Sequence, residues 1–169
     1  MVAETVERMK RILFICTGNS CRSVMAEAYL RHRLAQAGVD TVEVSSAGAF
    51  AMEGLTATQE TLRVLRAVGI DASSHRTRPL TAQMIQEADL VLVMEAFHLD
   101  EVLRRVPSAR EKTHLLRVYG VPRPDTVRNP NISDPIGKPL EVYEVCFADI
   151  HEAVDRVAKS LGVHGVKDR

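Results

Sequence analysis

The sequence predicts an α/β fold in which helices cover a parallel sheet, and three observations predict it. Apolar stretches of strand length alternate along the chain with stretches of helical periodicity, the alternation from which parallel sheets are built. One of those stretches, residues 90–94, is apolar at every position, as a strand covered on both faces must be. The first strand-like run, residues 11–15, passes through a glycine-bearing turn into a helical stretch. Parallel sheets bind ligands at such turns, beyond the carboxyl ends of their strands.

The elements follow in order. Ile12, Leu13, Phe14 and Ile15 make residues 11–15 a buried strand, and residues 24–34 are the helix that leaves the turn. Residues 42–46 form a short strand ending in Ala47 and Gly48. Residues 58–68 carry Leu62, Leu65 and Val68 at helical spacing, with Gly69 as a stop. Thr81 caps a short helix that reaches Glu87. After the 90–94 strand, residues 97–106 form a helix ended near Pro107, and residues 112–116 are the last short strand. Residues 140–161 form the longest amphipathic helix, with Val142, Val145, Ile150, Val154, Val157 and Leu161 toward one side. A proline-rich connection, residues 120–135, precedes it, and loops of that length in a compact domain are commonly functional. No repeat, low-complexity segment or linker divides the chain. Its 169 residues suit a single three-layer domain over residues 10–169, with residues 1–9 as a flexible extension.

Composition excludes several classes of function. Lysine and arginine (22) cancel aspartate and glutamate (22), which leaves no basic footprint for nucleic acid. Three cysteines do not make a secreted disulfide framework. No apolar run reaches membrane-spanning length, and the first ten residues are too charged for a signal peptide. The expected compartment is the cytoplasm, where thiols stay reduced.

The chemistry concentrates in Cys16, Thr17, Gly18, Asn19, Ser20, Cys21, Arg22 and Ser23. A thiolate attacks phosphorus, and positive potential favours that form over the thiol. A loop of inward-pointing N–H groups at a helix start supplies such potential. Gly18 and Asn19 are residue types that tolerate the left-handed dihedrals the loop needs. Arg22 adds a planar fork of donors for two phosphoryl oxygens. Ser23 is expected to give its hydroxyl to the sulfur. The alternatives are plainer. Cys16 could be a structural thiol beside a surface arginine, but the strand before it and the helix after it argue for a site. Cys16 and Cys21 as zinc ligands need two partners at tight spacing, and none appears. A nucleotide-binding phosphate loop needs Gly-Lys-Ser/Thr, also missing. Because Cys16 and Cys21 share one curved loop, a peroxide-induced bond between them is a further expectation. Cys146, inside the last helix, reads as a small core residue.

With these residues the chain resembles the low-molecular-weight protein phosphatase family. The resemblance runs from residue 10 to about residue 162. It rests on Ile15 through Ser23 with Met25, Ala26, Glu27 and Ala28, then Ser46, Ala47 and Gly48, and His75. Further along come Ala88 through Met94, and Ser133, Asp134 and Pro135 ahead of a helix containing Tyr143. The resemblance implies a four-stranded sheet, a phosphorylated protein as substrate, a phosphocysteine intermediate and no cofactor or metal. It assigns the nucleophile to Cys16, the proton donor for the leaving atom to Asp134, and a brace of the loop through Asn19 to His75. Without it, Asp134 before Pro135 reads only as a turn former and His75 as a solvated loop histidine. Asp125 is the competing acid in the connection, but no helix follows it. The other five histidines lie on charged stretches and receive no role.

Substrate choice stays open between phosphotyrosine and phosphoarginine. Tyrosine phosphatases of the family tend to carry a bulky apolar residue at the position of Ser20, and arginine phosphatases a threonine. Ile136 and Gly137 after the Asp-Pro pair are nearer the arginine pattern, and Phe50 is an aromatic pocket wall for either. Two other classes compete. Thioredoxin-coupled arsenate reductases share the Cys16–Ser23 pattern but use two cysteines shortly after the 90–94 strand, where residues 95–100 hold none. A phosphoprotein-binding module without catalysis is disfavoured by the intact Cys16, Arg22 and Asp134. Oligomeric state is not legible.

Overall fold

A computed structural model describes residues 8–164. Its elements are β1 (Lys10–Cys16), α1 (Arg22–Gln36), β2 (Val42–Gly48), α2 (Gln59–Arg66), α3 (Ala82–Glu87), β3 (Leu90–Val93), α4 (Ala96–Arg105), β4 (Thr113–Leu115) and α5 (Leu140–Ser160). Short 3₁₀ turns, unforeseen from the sequence, lie at Pro107–Lys112 and Pro124–Thr126. The four strands form one sheet in the order β2-β1-β3-β4; every pair is parallel, the class of sheet that the sequence predicts. Residues 1–7 of the expected extension lie outside the described residues; Arg8 pairs with Asp89.

The layers follow from the alternation of side chains along a strand. In β1, Ile12, Phe14 and Cys16 join a core with α1, α2 and α5, while Leu13 and Ile15 face a second core with α3 and α4. All five are essentially inaccessible, which is why the run is apolar at consecutive positions. Thr58 and Thr81 cap α2 and α3 by accepting from the N–H groups of Thr61 and Met84. The apolar face of α5 differs from the expected one. Its buried stripe is Tyr143, Cys146, Phe147, Ile150, Val154 and Val157, whereas Val142 and Val145 are exposed. Both valines fall out of phase with a 3.6-residue stripe that begins at Tyr143. Val68 is exposed too, since α2 ends at Arg66 and Val64 takes the inward position.

Topology fixes where a site can lie. From β1 the chain passes to β2 on one side and later crosses to β3 on the other, so the loops leaving β1 and β3 diverge and open a crevice. The proline-rich connection returns to that crevice. Ile132, buried, donates its N–H to the Met94 carbonyl at 2.8 Å, and Asn131 Oδ1 accepts from the Ala96 N–H at 2.8 Å.

Candidate active site

Cys16 ends β1 in register with Gly48, the last residue of β2. The chain after β2 then supports the loop after β1: Ala49 N–H donates to the Cys16 carbonyl (2.8 Å) and Phe50 N–H to that of Thr17 (3.0 Å). Gly48 is required here. A Cβ on it would stand 2.6 Å from the Thr17 carbonyl oxygen and 2.9 Å from the Asn19 nitrogen. Asn19, with φ +55°, is the one left-handed residue in the loop. Gly18 is not left-handed, contrary to expectation, and a Cβ there would meet only Ser20 Oγ at 3.6 Å. One such residue suffices because the Asn19 side chain locks it. Asn19 Nδ2 donates to Ser23 Oγ and Ser46 Oγ, both at 2.9 Å, and Oδ1 accepts from Arg78 N–H at 3.0 Å. His75 Nε2 lies 2.8 Å from the Asn19 carbonyl, and its Nδ1 stands 3.8 Å from the Glu27 carboxylate.

These bonds dictate the hydrogen at the sulfur. Ser46 Oγ donates to Glu27 at 2.7 Å, and Ser23 Oγ already accepts from Asn19. The Ser23 hydrogen is therefore free for Cys16 Sγ, 2.9 Å away. Cys21 stands immediately before α1 at the other end of the loop, its sulfur turned away from the helix end and 3.6 Å from both Thr58 Oγ1 and the Tyr143 hydroxyl. Burial pushes that phenol up to about 12. Cys16, Cys21 and Cys146 are free thiols. Ser20 is half-buried, its carbonyl accepting from Thr58 N–H (3.1 Å) and Thr61 Oγ1 (3.2 Å).

Arg22 opens α1 and is almost wholly buried. Nη1 donates to Glu95 Oε2 (2.8 Å) and to the Ile132 carbonyl (2.7 Å). Nη2 lies 3.4 Å from Thr17 Oγ1 and 3.3 Å from Asp134 Oδ2. Nε is buried with no partner, a costly state for a guanidinium N–H. The edge formed by Nε and Nη2 is thus the one left to grip two oxygens of an anion. Asp134, its carboxylate one-third exposed, accepts from Ile136 N–H at 3.1 Å through Oδ1. Phe50 and Ile136 leave large apolar side chains exposed on the segments that contact Thr17 and Asp134. Asp125 lies exposed in the 3₁₀ turn Pro124–Thr126.

Two residues enter the site that the sequence left unassigned. Glu95 holds Arg22, and His98, fully buried in the first turn of α4, holds Thr17. His98 Nδ1 accepts from Glu95 N–H at 3.0 Å, so its ring hydrogen sits on Nε2, 2.9 Å from Thr17 Oγ1. Burial, aided by the charge of Arg22, holds His98 down to about 3, which keeps it neutral. The available signal was topological: both residues stand just beyond β3, beside the loop after β1. Among the described residues, no cluster of three or more His, Cys, Asp or Glu is arranged to hold a metal ion.

Comparison with known proteins agrees with this architecture. The family described as low molecular weight phosphotyrosine protein phosphatase matches residues 11–167. A protein-arginine-phosphatase of Geobacillus stearothermophilus is 40% identical, covering 89% of this chain and 95% of its own. A probable low molecular weight protein-tyrosine-phosphatase, EpsP, of Ralstonia nicotianae is 35% identical over 87% of this chain and 92% of its own. Among solved structures, a YwlE arginine phosphatase variant with a phosphorylated active-site serine superposes with a TM-score of 0.81 at 32% identity. That match covers 90% of this chain and 95% of the other. On fold, motif order and overall match, the chain belongs to the low molecular weight phosphotyrosine protein phosphatase family of hydrolases.

Proposed function

We propose that the protein hydrolyses phosphorylated protein side chains through a phosphocysteine at Cys16, with phosphoarginine the preferred substrate and phosphotyrosine also accepted. The observation that carries this reading is Arg22, buried between the cysteine loop and Asp134 with its Nε unpartnered. The phosphoryl oxygens seat on the N–H groups of residues 17–22 and on the Nε/Nη2 edge. Cys16 thiolate, facing the Ser23 hydroxyl, attacks phosphorus in line. The bond to the leaving oxygen or nitrogen breaks, and Asp134 as the acid gives that atom its proton. Asp134, now a carboxylate, takes a proton from water; the hydroxide attacks phosphocysteine, and phosphate and the thiolate are released. Charge building on the phosphoryl oxygens meets fixed donors, the role of His75 and Asn19 being to keep the loop in shape. A reducing compartment such as the cytoplasm keeps Cys16 nucleophilic.

Support for phosphoarginine comes from the 40% identical arginine phosphatase and from Ser20, Ile136 and Gly137. Ser20 is too small to exclude a phenyl ring, and Phe50 offers either substrate a wall. Arsenate reduction lacks its thiol relay. Beyond the loop only Cys146 remains, and burial pushes its thiol up to about 12, far from the form that attacks. The test is competition between phosphoarginine and phosphotyrosine peptides at matched concentration. We expect turnover of both with the higher kcat/KM for phosphoarginine, and none in Cys16→Ser, which should still bind phosphate. Turnover in Cys16→Ser removes the nucleophile assignment; a tyrosine preference reverses the substrate order.

A further inference from the structure

The role left over is that of His98, which no step above uses. Four hydrogen bonds close a circuit through it. Glu95 N–H donates to His98 Nδ1 (3.0 Å), and His98 Nε2–H to Thr17 Oγ1 (2.9 Å). Arg22 Nη2 reaches the same Thr17 oxygen (3.4 Å), and Arg22 Nη1 returns to the Glu95 carboxylate (2.8 Å). The circuit joins three segments: the loop after β1, the first turn of α1 and the first turn of α4. We propose that His98 is a positioning residue for phosphoryl transfer, fixing through Thr17 and Glu95 the plane of the Arg22 guanidinium so that Nε and Nη2 face the phosphoryl group.

The geometry gives each member one function. An arginine anchored through Nη1 alone keeps the freedom to swing about that contact, and a swinging fork loses the preorganisation on which transition-state stabilisation depends. Thr17 supplies the second anchor at Nη2, but a hydroxyl rotates and needs its own reference. His98 is that reference, fully buried and held in one tautomer by the Glu95 N–H. It must also be neutral, since an imidazolium beside Arg22 would repel the charge it is there to orient; burial keeps it so. The inference rests on the reading of Arg22 as the phosphoryl-binding group.

A purely structural role is separable, because His98 also serves the amino end of α4 in a capping box with Glu95. Asparagine at 98 retains an acceptor for the Glu95 N–H but stops short of Thr17, whereas glutamine reaches Thr17. The experiment measures kcat, KM, inhibition by orthovanadate and thermal midpoint in the full chain. Its variants are His98→Asn, His98→Gln, Thr17→Val, the His98→Asn/Thr17→Val pair and Arg22→Ala. We expect His98→Asn and Thr17→Val each to lower kcat/KM and vanadate affinity roughly tenfold, the scale of one hydrogen bond. His98→Gln should recover part of the loss, and the double variant should be no worse than the poorer single one, as for two residues acting along one path. Unchanged vanadate affinity in His98→Asn with a lowered thermal midpoint would reduce His98 to a cap and overturn the proposal, as would losses that add. If His98→Asn fails to fold, Thr17→Val decides alone, and normal vanadate affinity there overturns it. Arg22→Ala keeps the two readings apart. If it still binds vanadate, the wider reading of the site falls; if it is dead while His98→Asn is normal, only the present proposal does.

Discussion

Asp134 divides its carboxylate between two neighbours, Oδ2 toward Arg22 and Oδ1 toward the backbone of Ile136. Asparagine preserves that shape and both contacts in part but holds no transferable proton. Asp134→Asn should therefore slow turnover by roughly two to four orders of magnitude for substrates with poor leaving groups, and far less for activated aryl phosphates. Rates compared across a leaving-group series check this, and a uniform loss would give Asp134 a structural role. Residue by residue, the site was legible where its parts are neighbours in sequence. Cys16, Asn19, Arg22 and Ser23 lie within eight positions of one another, and their chemistry can be argued from their order. His75 and Asp134 needed the family resemblance, because a histidine in a loop and an aspartate before proline carry no local signature. Glu95 and His98 escaped altogether. The bond from His98 to Thr17 spans 81 positions, and nothing in the residues around His98 announces a buried side chain.

At the scale of elements, β1 brings the Cys16 sulfur and β2 the Ser46 hydroxyl to the site, and Gly48 is where β2 presses closest on the loop. Gly48→Ala puts a methyl group where the Thr17 carbonyl and the Asn19 N–H already stand. The loop must shift by a few tenths of an ångström or more, so we expect a loss of about 1–3 kcal/mol in unfolding free energy. A fall in kcat/KM should accompany it, because the loop carries the proposed nucleophile. Denaturant melts together with kinetics check both; a stable, fully active variant would show that the approach is not tight in solution. The strands were readable because burial on both faces leaves them apolar throughout. The first turns of the α5 stripe were misread because valines at 142 and 145 match in hydropathy but not in phase, and Tyr143, Cys146 and Phe147 take the inward positions there, in line with Ile150, Val154 and Val157. The capping threonine at 81 was legible, since a hydroxyl before a helix has few other uses, whereas Thr58, read as the first residue of its helix, proves to be the cap.

For the molecule as a whole, the neutral His98 makes stability depend on acid. In the folded protein it titrates near 3 and in the unfolded chain near 6.5. Between those values the unfolded chain binds a proton that the folded one refuses, so stability is full above about 6.5 and falls as the pH drops toward 3. The span corresponds to on the order of 5 kcal/mol. Glu101, held down to about 2 by hydrogen bonds from Arg104 and Arg105, acts in the same direction at lower pH. Thermal midpoints across this range should fall more steeply in the native protein than in His98→Gln, the Glu101 contribution being common to both; parallel slopes would mean that His98 is protonated without cost. The sheet order was legible only as a class, since parallel strands give no local hint of their neighbours. Yet that order brings residues 16–22, 95–98 and 132–134 to a single arginine. Activity in such a site is a report on the completed fold. A chain released or cut before residue 132 lacks the Ile132 carbonyl that holds Arg22, lacks Asp134, and lacks α5, against which α1 packs. The nascent protein thus carries the Cys16 thiol well before it carries the full set of residues gathered around Arg22, a set complete only when the last helix draws the connection home.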